Sequence, residues 1–324
     1  MPILLTKPVR RAFLLLAAVL PLAATLPAHA QKTSETVRIG YQKSSTLLTI
    51  IKTRGTLEQL LAPQGVKISW HEFSSGLPLL EALNVGGVDL SADVADTVPV
   101  FAQAAGAKLA YVAQEAPSPS AQAILVRADS PIKSVAELKG KKIAVTKAAG
   151  SHYLLIALLE KAGLKFKDIQ PAYLSPADGR AAFERGSVDA WVAWDPFLAG
   201  VQRQSPVRIL ADGTNVADYQ RYYLASATFV EARPEIIKTV FDELQKTGRW
   251  VKQNPKDAAA LLAPVWGLDA QTIETANGRR SYEVRSVVAD ALREQQSIAN
   301  AFFAEGLLPK QVNAADVPIW RPAR

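Results

Sequence analysis

The sequence predicts an α/β protein built as two similar lobes around a cleft. One observation is a repeat at an offset of one hundred residues. Ile68-Ser69-Trp70-His71-Glu72-Phe73-Ser74-Ser75-Gly76 leads into the segment Glu81 to Leu90, and Ile169-Gln170-Pro171-Ala172-Tyr173-Leu174-Ser175-Pro176 leads into Ala181 to Ala190. At that spacing Ser75/Ser175, Ala82/Ala182, Gly86/Gly186, Val88/Val188 and Asp89/Asp189 are identical, and Phe73/Tyr173 and Leu83/Phe183 are conservative. The other observation is that short β-branched runs alternate with stretches of helical period around each copy. That alternation implies a parallel sheet with helices packed on its faces.

In chain order, Val37 to Tyr41 alternates as a strand, and Thr46 to Arg54 carries Leu47, Ile50 and Ile51 at helical spacing. Val66 to Phe73 is the next strand, Leu77 to Asn84 a helix closed by Gly86-Gly87, and Val88 to Ala92 a third strand. Ser134 and Glu137 have the spacing of a capping box. The pattern then restarts: strand Lys141 to Thr146, helix Ser151 to Ala162, strand Ile169 to Leu174, helix Ala177 to Arg185, strand Val188 to Ala193. Beyond Phe229 the segments 234–253, 255–263, 270–277 and 286–304 read as helices with no strand between them. Gln122 to Arg127 and Tyr222 to Ala227 are extended apolar runs that bound the second unit. They are expected to cross between lobes as two antiparallel hinge strands, giving lobe 1 as residues 31–123 and 224–324 and lobe 2 as residues 124–223.

Residues 1–30 read as a cleaved secretory signal: Lys7, Arg10 and Arg11, an apolar run from Ala12 to Leu26, then Ala28-His29-Ala30. The run is shorter than the roughly 20 residues of a spanning helix and contains Pro21. The chain has no cysteine, which excludes a disulfide and a lipidated N-terminal cysteine, so the expected address is the periplasm, free in solution. Removing residues 1–30 lowers the formal charge from +7 to +4, with basic residues such as Lys139, Lys141, Arg279 and Arg280 scattered as solvated faces. No aromatic interleaving marks a nucleic-acid surface. The remaining 294 residues suit two domains.

Ligands of open α/β sheets bind beyond the carboxyl ends of the strands. Here those loops are Gln42 to Ser45, Ser74 to Gly76, Asp93 to Thr97, Ala148 to His152, Ser175-Pro176 and Trp194 to Pro196. Several end in Ser or Gly at a helix start, which suits either ordinary capping or a bound anion. Trp191 reads as core and Trp194 as cleft wall or core; Asp96 and Asp195 either bond a ligand or brace their own loops; Tyr222 and Tyr223 pack a hinge or wall the cleft. His71, inside a strand, reads as structural, and His152, at a helix start, as ligand contact or packing. The two histidines stand in different lobes, and no HExxH, metal-ligand spacing or GxSxG turn is present, so neither an enzyme nor a cofactor is expected.

Ile39 to Lys43, Leu80 to Gly86, Phe101 to Ala107, Ser151 to Leu155 and Val188 to Pro196 resemble the periplasmic aliphatic-sulfonate-binding proteins of ABC importers, in order across nearly all of residues 31–324. The resemblance implies a type II periplasmic-binding fold, a small organic sulfonate anion gripped between the lobes, and a monomer that delivers it to a membrane permease. It carries Gln42, Ser75, Gly76, Asp96, Thr97, Gly150, Ser151, His152, Trp194 and Asp195 over as ligand-binding candidates. Ala95 stands where a glycine is expected, and Ala148-Ala149-Gly150 where a serine-rich turn is expected. The same scaffold also suits taurine, nitrate or a sulfate ester, with Asp96 or Asp195 as partner for an ammonium group; an enzyme or a sensor domain on this fold are further alternatives.

Overall fold

The computed structural model describes residues 35–322; the expected signal segment and the expected cleavage after Ala30 lie outside them. The chain opens with β1 (Glu35–Gln42), α1 (Thr46–Arg54), α2 (Thr56–Leu61), β2 (Val66–Phe73), α3 (Gly76–Asn84), β3 (Leu90–Ala95), α4 (Thr97–Ala104) and β4 (Leu109–Glu115). It continues with β5 (Gln122–Arg127), β6 (Lys142–Val145), α5 (Gly150–Lys161), β7 (Gln170–Tyr173), α6 (Pro176–Glu184), β8 (Ala190–Trp194), α7 (Phe197–Gln204) and β9 (Val207–Asp212). It ends with β10 (Arg221–Ser226), α8 (Ala227–Ala232), α9 (Pro234–Gln253), α10 (Pro255–Trp266), α11 (Ala270–Arg279), β11 (Val284–Arg285) and α12 (Ala289–Ala304).

The strands form two sheets, of order β11-β4-β10-β3-β1-β2 and β7-β6-β8-β5-β9. Leaving out the two-residue β11, the sheets match position for position. In each, three parallel strands are followed by an antiparallel strand that arrives from elsewhere in the chain. The repeated residues explain the match. Asp89 accepts the backbone N–H of Arg38 at 2.8 Å and Asp189 that of Lys142 at 2.8 Å, each tying the approach of a third strand to the first strand of its sheet. Gly86 and Gly186, at φ 74° and 72°, take the left-handed turn that ends α3 and α6.

The expected hinge strands are corrected by this pairing. Gln122–Arg127 is β5, bonded on both sides inside the second sheet, and Arg221–Ser226 is β10, bonded on both sides inside the first. The chain passes between the sheets at residues 116–121 and 213–220 instead. At the expected capping box, the Ser134 hydroxyl donates to the Glu137 carboxylate, and the Glu137 carboxylate accepts from Lys133 N–H, so no hydroxyl caps the backbone of that 3-10 turn.

The first sheet is covered by α1 and α9, whose Leu48, Ile51, Val240 and Leu244 bury against Ile39 and Leu90. On the second sheet, Leu155 and Leu159 of α5 pack with Ile124 and Val192. Helix α12 adds Ile298 and Phe302 to that core together with Val100 of α4, so one apolar cluster joins elements of both sheets.

Candidate functional site

The cleft lies where the parallel strands of both sheets end, and two helix N-termini meet there from opposite sides. Helix α3 starts at Gly76 behind an extended Ser75, and α5 starts at Gly150 behind an extended Ala149; neither first turn is capped by a side chain. Elsewhere the chain does supply caps: Ser175 accepts from Asp178 N–H on α6, Asp96 from Thr97 N–H on α4, and Asp269 from Thr272 N–H on α11. Uncapped N–H groups and the positive ends of two helix dipoles thus face one small cavity. Gln42, Ser75, Gly76, Gly150, Trp194 and Arg221 line it, and its volume is about 10 Å³, the space of about one water.

Both glycines are required by close approach. A Cβ on Gly150 would stand 2.5 Å from the Tyr219 ring, and one on Gly76 would stand 2.9 Å from Val98. Tyr219 and Ala148, beside the cavity, hold φ at 53° and 60°, a region L-residues rarely enter. The Thr97 hydroxyl donates to the Ala148 carbonyl at 2.7 Å, linking the first helix turn after β3 to the loop before α5.

Beneath the cavity, four buried charges compensate one another. Arg221 donates to Asp93 Oδ2 at 2.6 Å, to the Asp93 carbonyl at 3.1 Å and to the Tyr219 hydroxyl at 2.7 Å. Arg280 bonds Asp93 Oδ2 at 3.1 Å and Glu115 Oε2 at 2.6 Å. Burial disfavours both guanidinium charges, yet Asp93 and Glu115 hold them above the ordinary arginine value. Gln42 Nε2 donates to the same Asp93 carbonyl at 2.8 Å, which fixes its amide at the cavity wall.

Five of the sequence-derived candidates, Gln42, Ser75, Gly76, Gly150 and Trp194, come together on this cavity. The other five sit around it. Asp96 caps α4 and accepts Gln220 N–H at 3.0 Å; burial, then Glu294, raises its carboxyl to about 7. Thr97 is spent on Ala148. Ser151 is fully buried behind the first turn of α5. His152 is a core residue: its ring packs on Phe166, Tyr173 and Phe302 at 4.9 to 5.5 Å, Nδ1 accepts Ala148 N–H, and burial, then Lys147, lowers its pKa to about 3. Asp195 accepts from Ala199 N–H and from Arg279; burial raises its carboxyl to about 6 against the pull of Arg279.

Sequence reasoning missed Arg221 and Tyr219, named Asp93 only as the start of a cleft loop, and read Arg279 and Arg280 as solvated. Arg280 is 3% exposed, and Arg279 binds across to Asp195 and Gln202. The available signal was Arg221 itself, a lone charge at the head of the apolar run Tyr222 to Ala227. Trp191 is core, against Phe183, and Trp194 meets Phe197 edge-on at 5.6 Å. Tyr222 and Tyr223 are buried strand residues, the latter bonded to Glu115. A larger surface hollow of about 330 Å³, at Arg127, Phe183 and Pro206, is built from the second-sheet segment alone and shares no lining residue with the cavity.

Residues 61–258 match the family described as NMT1/THI5 like. The chain is 42% identical over 302 residues to a putative aliphatic sulfonates-binding protein of Escherichia coli K12, covering 93% of each. Among solved structures it is similar to the periplasmic aliphatic sulphonate binding protein SsuA from Escherichia coli, with TM-score 0.80, 43% identity and coverage of 88% of this chain and 97% of that one. It is also similar to the alkanesulfonate-binding protein SsuA of Xanthomonas axonopodis pv. citri bound to MOPS, with TM-score 0.81, 39% identity and coverage of 86% and 96%.

Proposed function

Since the chain belongs to the NMT1/THI5-like family and to its aliphatic-sulfonate-binding members, we propose that it captures an aliphatic sulfonate anion in the cleft and delivers it to an ABC importer. The observation that carries this reading is the meeting of two uncapped helix N-termini, one from each side, over buried Arg221. A sulfonate presents three acceptor oxygens and one negative charge, and N–H groups of Gly76 and Gly150 with the Gln42 amide are donors of the matching kind. Trp194 covers the first carbons of the tail. None of these groups is arranged to break a bond in the ligand; the work is binding.

The two sheets with their helices are the two lobes in this reading, and residues 116–121 and 213–220 are the segments about which they close. Contacts that need both lobes favour the closed state, because only interactions better made in that state shift the equilibrium. The protein acts as a monomer in the periplasm after cleavage behind Ala30. Taurine fits less well than an uncharged-tail sulfonate. Its ammonium group needs a free carboxylate, and Asp96 and Asp195 are both engaged by donors of the chain.

Thermal unfolding of the chain lacking residues 1–30, with ethanesulfonate, taurine, sulfate, nitrate and an uncharged alcohol, tests this. A ligand at 100 times its Kd adds about 2.7 kcal/mol. Ethanesulfonate is expected to stabilise more than taurine; stabilisation by the alcohol alone would overturn the anion cleft.

A further inference from the structure

We infer that Asp96 sets the charge specificity of the cavity: its buried carboxyl stands just behind the wall, so a sulfonate enters together with a proton and a dianion such as sulfate is held back. This rests on the anion reading of the cavity and adds the rule by which one anion is chosen over another.

The position follows from the chain on both sides of the carboxyl. Ala95 and Val98 line the cavity, and Asp96 lies between them. Its Oδ2 accepts the N–H of Gln220 at 3.0 Å, and Gln220 lies between Tyr219 and Arg221, which also line the cavity. Its Oδ1 accepts Thr97 N–H at 3.0 Å, while the Thr97 hydroxyl holds the loop that leads to Ala149 and Gly150 on the other wall. At 1% exposure the carboxyl is kept from water, so its charge is weakly screened.

The groups that face it leave a negative charge uncancelled. They are Glu294 of α12, Arg221 and Tyr222 of β10, Tyr219 of the crossing segment, Tyr111 of β4 and Tyr153 of α5. Burial raises all four tyrosines above their ordinary value, so they stay neutral. Glu294 is a second acid, and Asp218 beside it a third. Arg221 is the cation of the group, and Asp93 Oδ2 engages it at 2.6 Å. An ionised Asp96 therefore sets a negative charge beside a site that receives another.

A sulfonate stays ionised wherever a carboxyl titrates, so the proton comes from solvent and goes to the protein. A like charge nearby raises the pKa of the group that can accept a proton. Asp96 stands at about 7 in the folded chain, and a bound anion moves it higher, so the complex keeps a proton that the free protein loses. Affinity is then highest below about 7, falls as pH rises between the free and the bound values, and levels off above both. Sulfate carries two charges, so its fall is larger. Asp195, raised to about 6, lines a different hollow with Trp266 and Arg280, and Arg279 offsets its charge. His152, lowered to about 3, stays neutral throughout.

Calorimetric Kd values for ethanesulfonate and sulfate from pH 5.5 to 9, in pairs of buffers of different ionisation enthalpy that count the protons taken up, test the inference. The unaltered protein is expected to lose roughly 10-fold in ethanesulfonate affinity above pH 7, the counterpart of a rise of about one in the Asp96 pKa, and more for sulfate. Proton uptake should accompany binding across the same range. Asp96→Asn keeps an acceptor oxygen but cannot ionise. It should show a flat profile and bind ethanesulfonate about 10-fold tighter than the unaltered protein at pH 9, whereas a merely structural role predicts weaker binding at every pH. Glu294→Gln removes the facing acid and should move the decline to lower pH without abolishing it. A flat profile in the unaltered protein, a decline that survives Asp96→Asn, or one that Glu294→Gln leaves in place would overturn the role of Asp96 with the cavity intact. Failure of every sulfonate to bind at any pH would overturn the cavity first.

Discussion

Arg221 and Arg280 place two positive charges under the cleft, and Asp93 and Glu115 place two negative ones. The group is neutral as a whole, so the attraction for an anion comes from the uncapped helix ends above it, while the ion pairs hold Gln42 and Tyr219 in place. Burial acts differently on Asp96, where desolvation and Glu294 outweigh the pull of Arg221. Its carboxyl stands at about 7 in the folded chain against an ordinary 3.8, so the native state holds that proton more firmly than the unfolded one. Between those values the native state binds more protons, and the Asp96 contribution to stability falls as pH rises from about 4 through about 7. Asp195, raised to about 6, acts in the same direction. Urea unfolding from pH 4 to 8 is expected to show Asp96→Asn with a flatter decline than the unaltered chain, the two curves diverging by roughly 1.4 kcal/mol for each pH step of one across that window; parallel curves would contradict it. The sequence left Asp96 and Asp195 open between ligand contact and bracing their own loops. Each does accept a local N–H, from Thr97 and from Ala199, but the further partners Gln220 N–H and Arg279, 124 and 84 residues away, were not legible.

Among the elements, the two helices that build the site start with first turns that no side chain caps, a feature they share with α1, α2, α7, α9, α10 and α12; what sets them apart is that both first turns line one cavity. Ser75 occupies the N-cap of α3 without capping it, and Ala149 cannot cap α5, so each leaves N–H groups to the cleft. Gly150 then sets how closely the lobes approach, since the Tyr219 ring lies where its Cβ would be. Gly150→Ala is expected to cost about 1–3 kcal/mol in urea unfolding, the usual range for overpacking. Because Tyr219 also holds Arg221, it should weaken short and long sulfonates alike; unchanged stability together with unchanged affinity would remove Gly150 from the site. Helices α1, α3, α5, α6 and α9 were readable within a residue at their starts, because apolar spacing and glycine or proline boundaries agree there. Strand β4, Leu109–Glu115, was not readable, since all seven residues are buried and no alternation survives. Helix α4 was hidden by Pro99 near its start, and β11 by its two-residue length.

At the scale of the molecule, the hundred-residue repeat predicted the two matching sheets, because Gly86/Gly186 and Asp89/Asp189 do the same work in both. It misplaced the crossings because β5 and β10 are as apolar as hinge strands would be, and only pairing shows each to be bonded on both sides. What joins the two sides at the far end of the cleft is ionic. Arg279, at the end of α11, bonds both oxygens of Asp195 at 3.1 and 3.2 Å and Gln202 of α7 at 2.6 Å. Asp195 is 4% exposed, so parting the lobes returns its carboxylate to water while closing them requires Arg279 against it. Arg279→Ala should therefore lower the population of the closed state, and apparent affinity scales with the fraction of binding-competent protein. The expected result is a loss of about 3- to 10-fold for every sulfonate whatever its tail, carried by faster dissociation in stopped-flow traces. A loss confined to long tails would assign Arg279 to the ligand instead of the latch, and no loss at all would mean that closure does not depend on this pair.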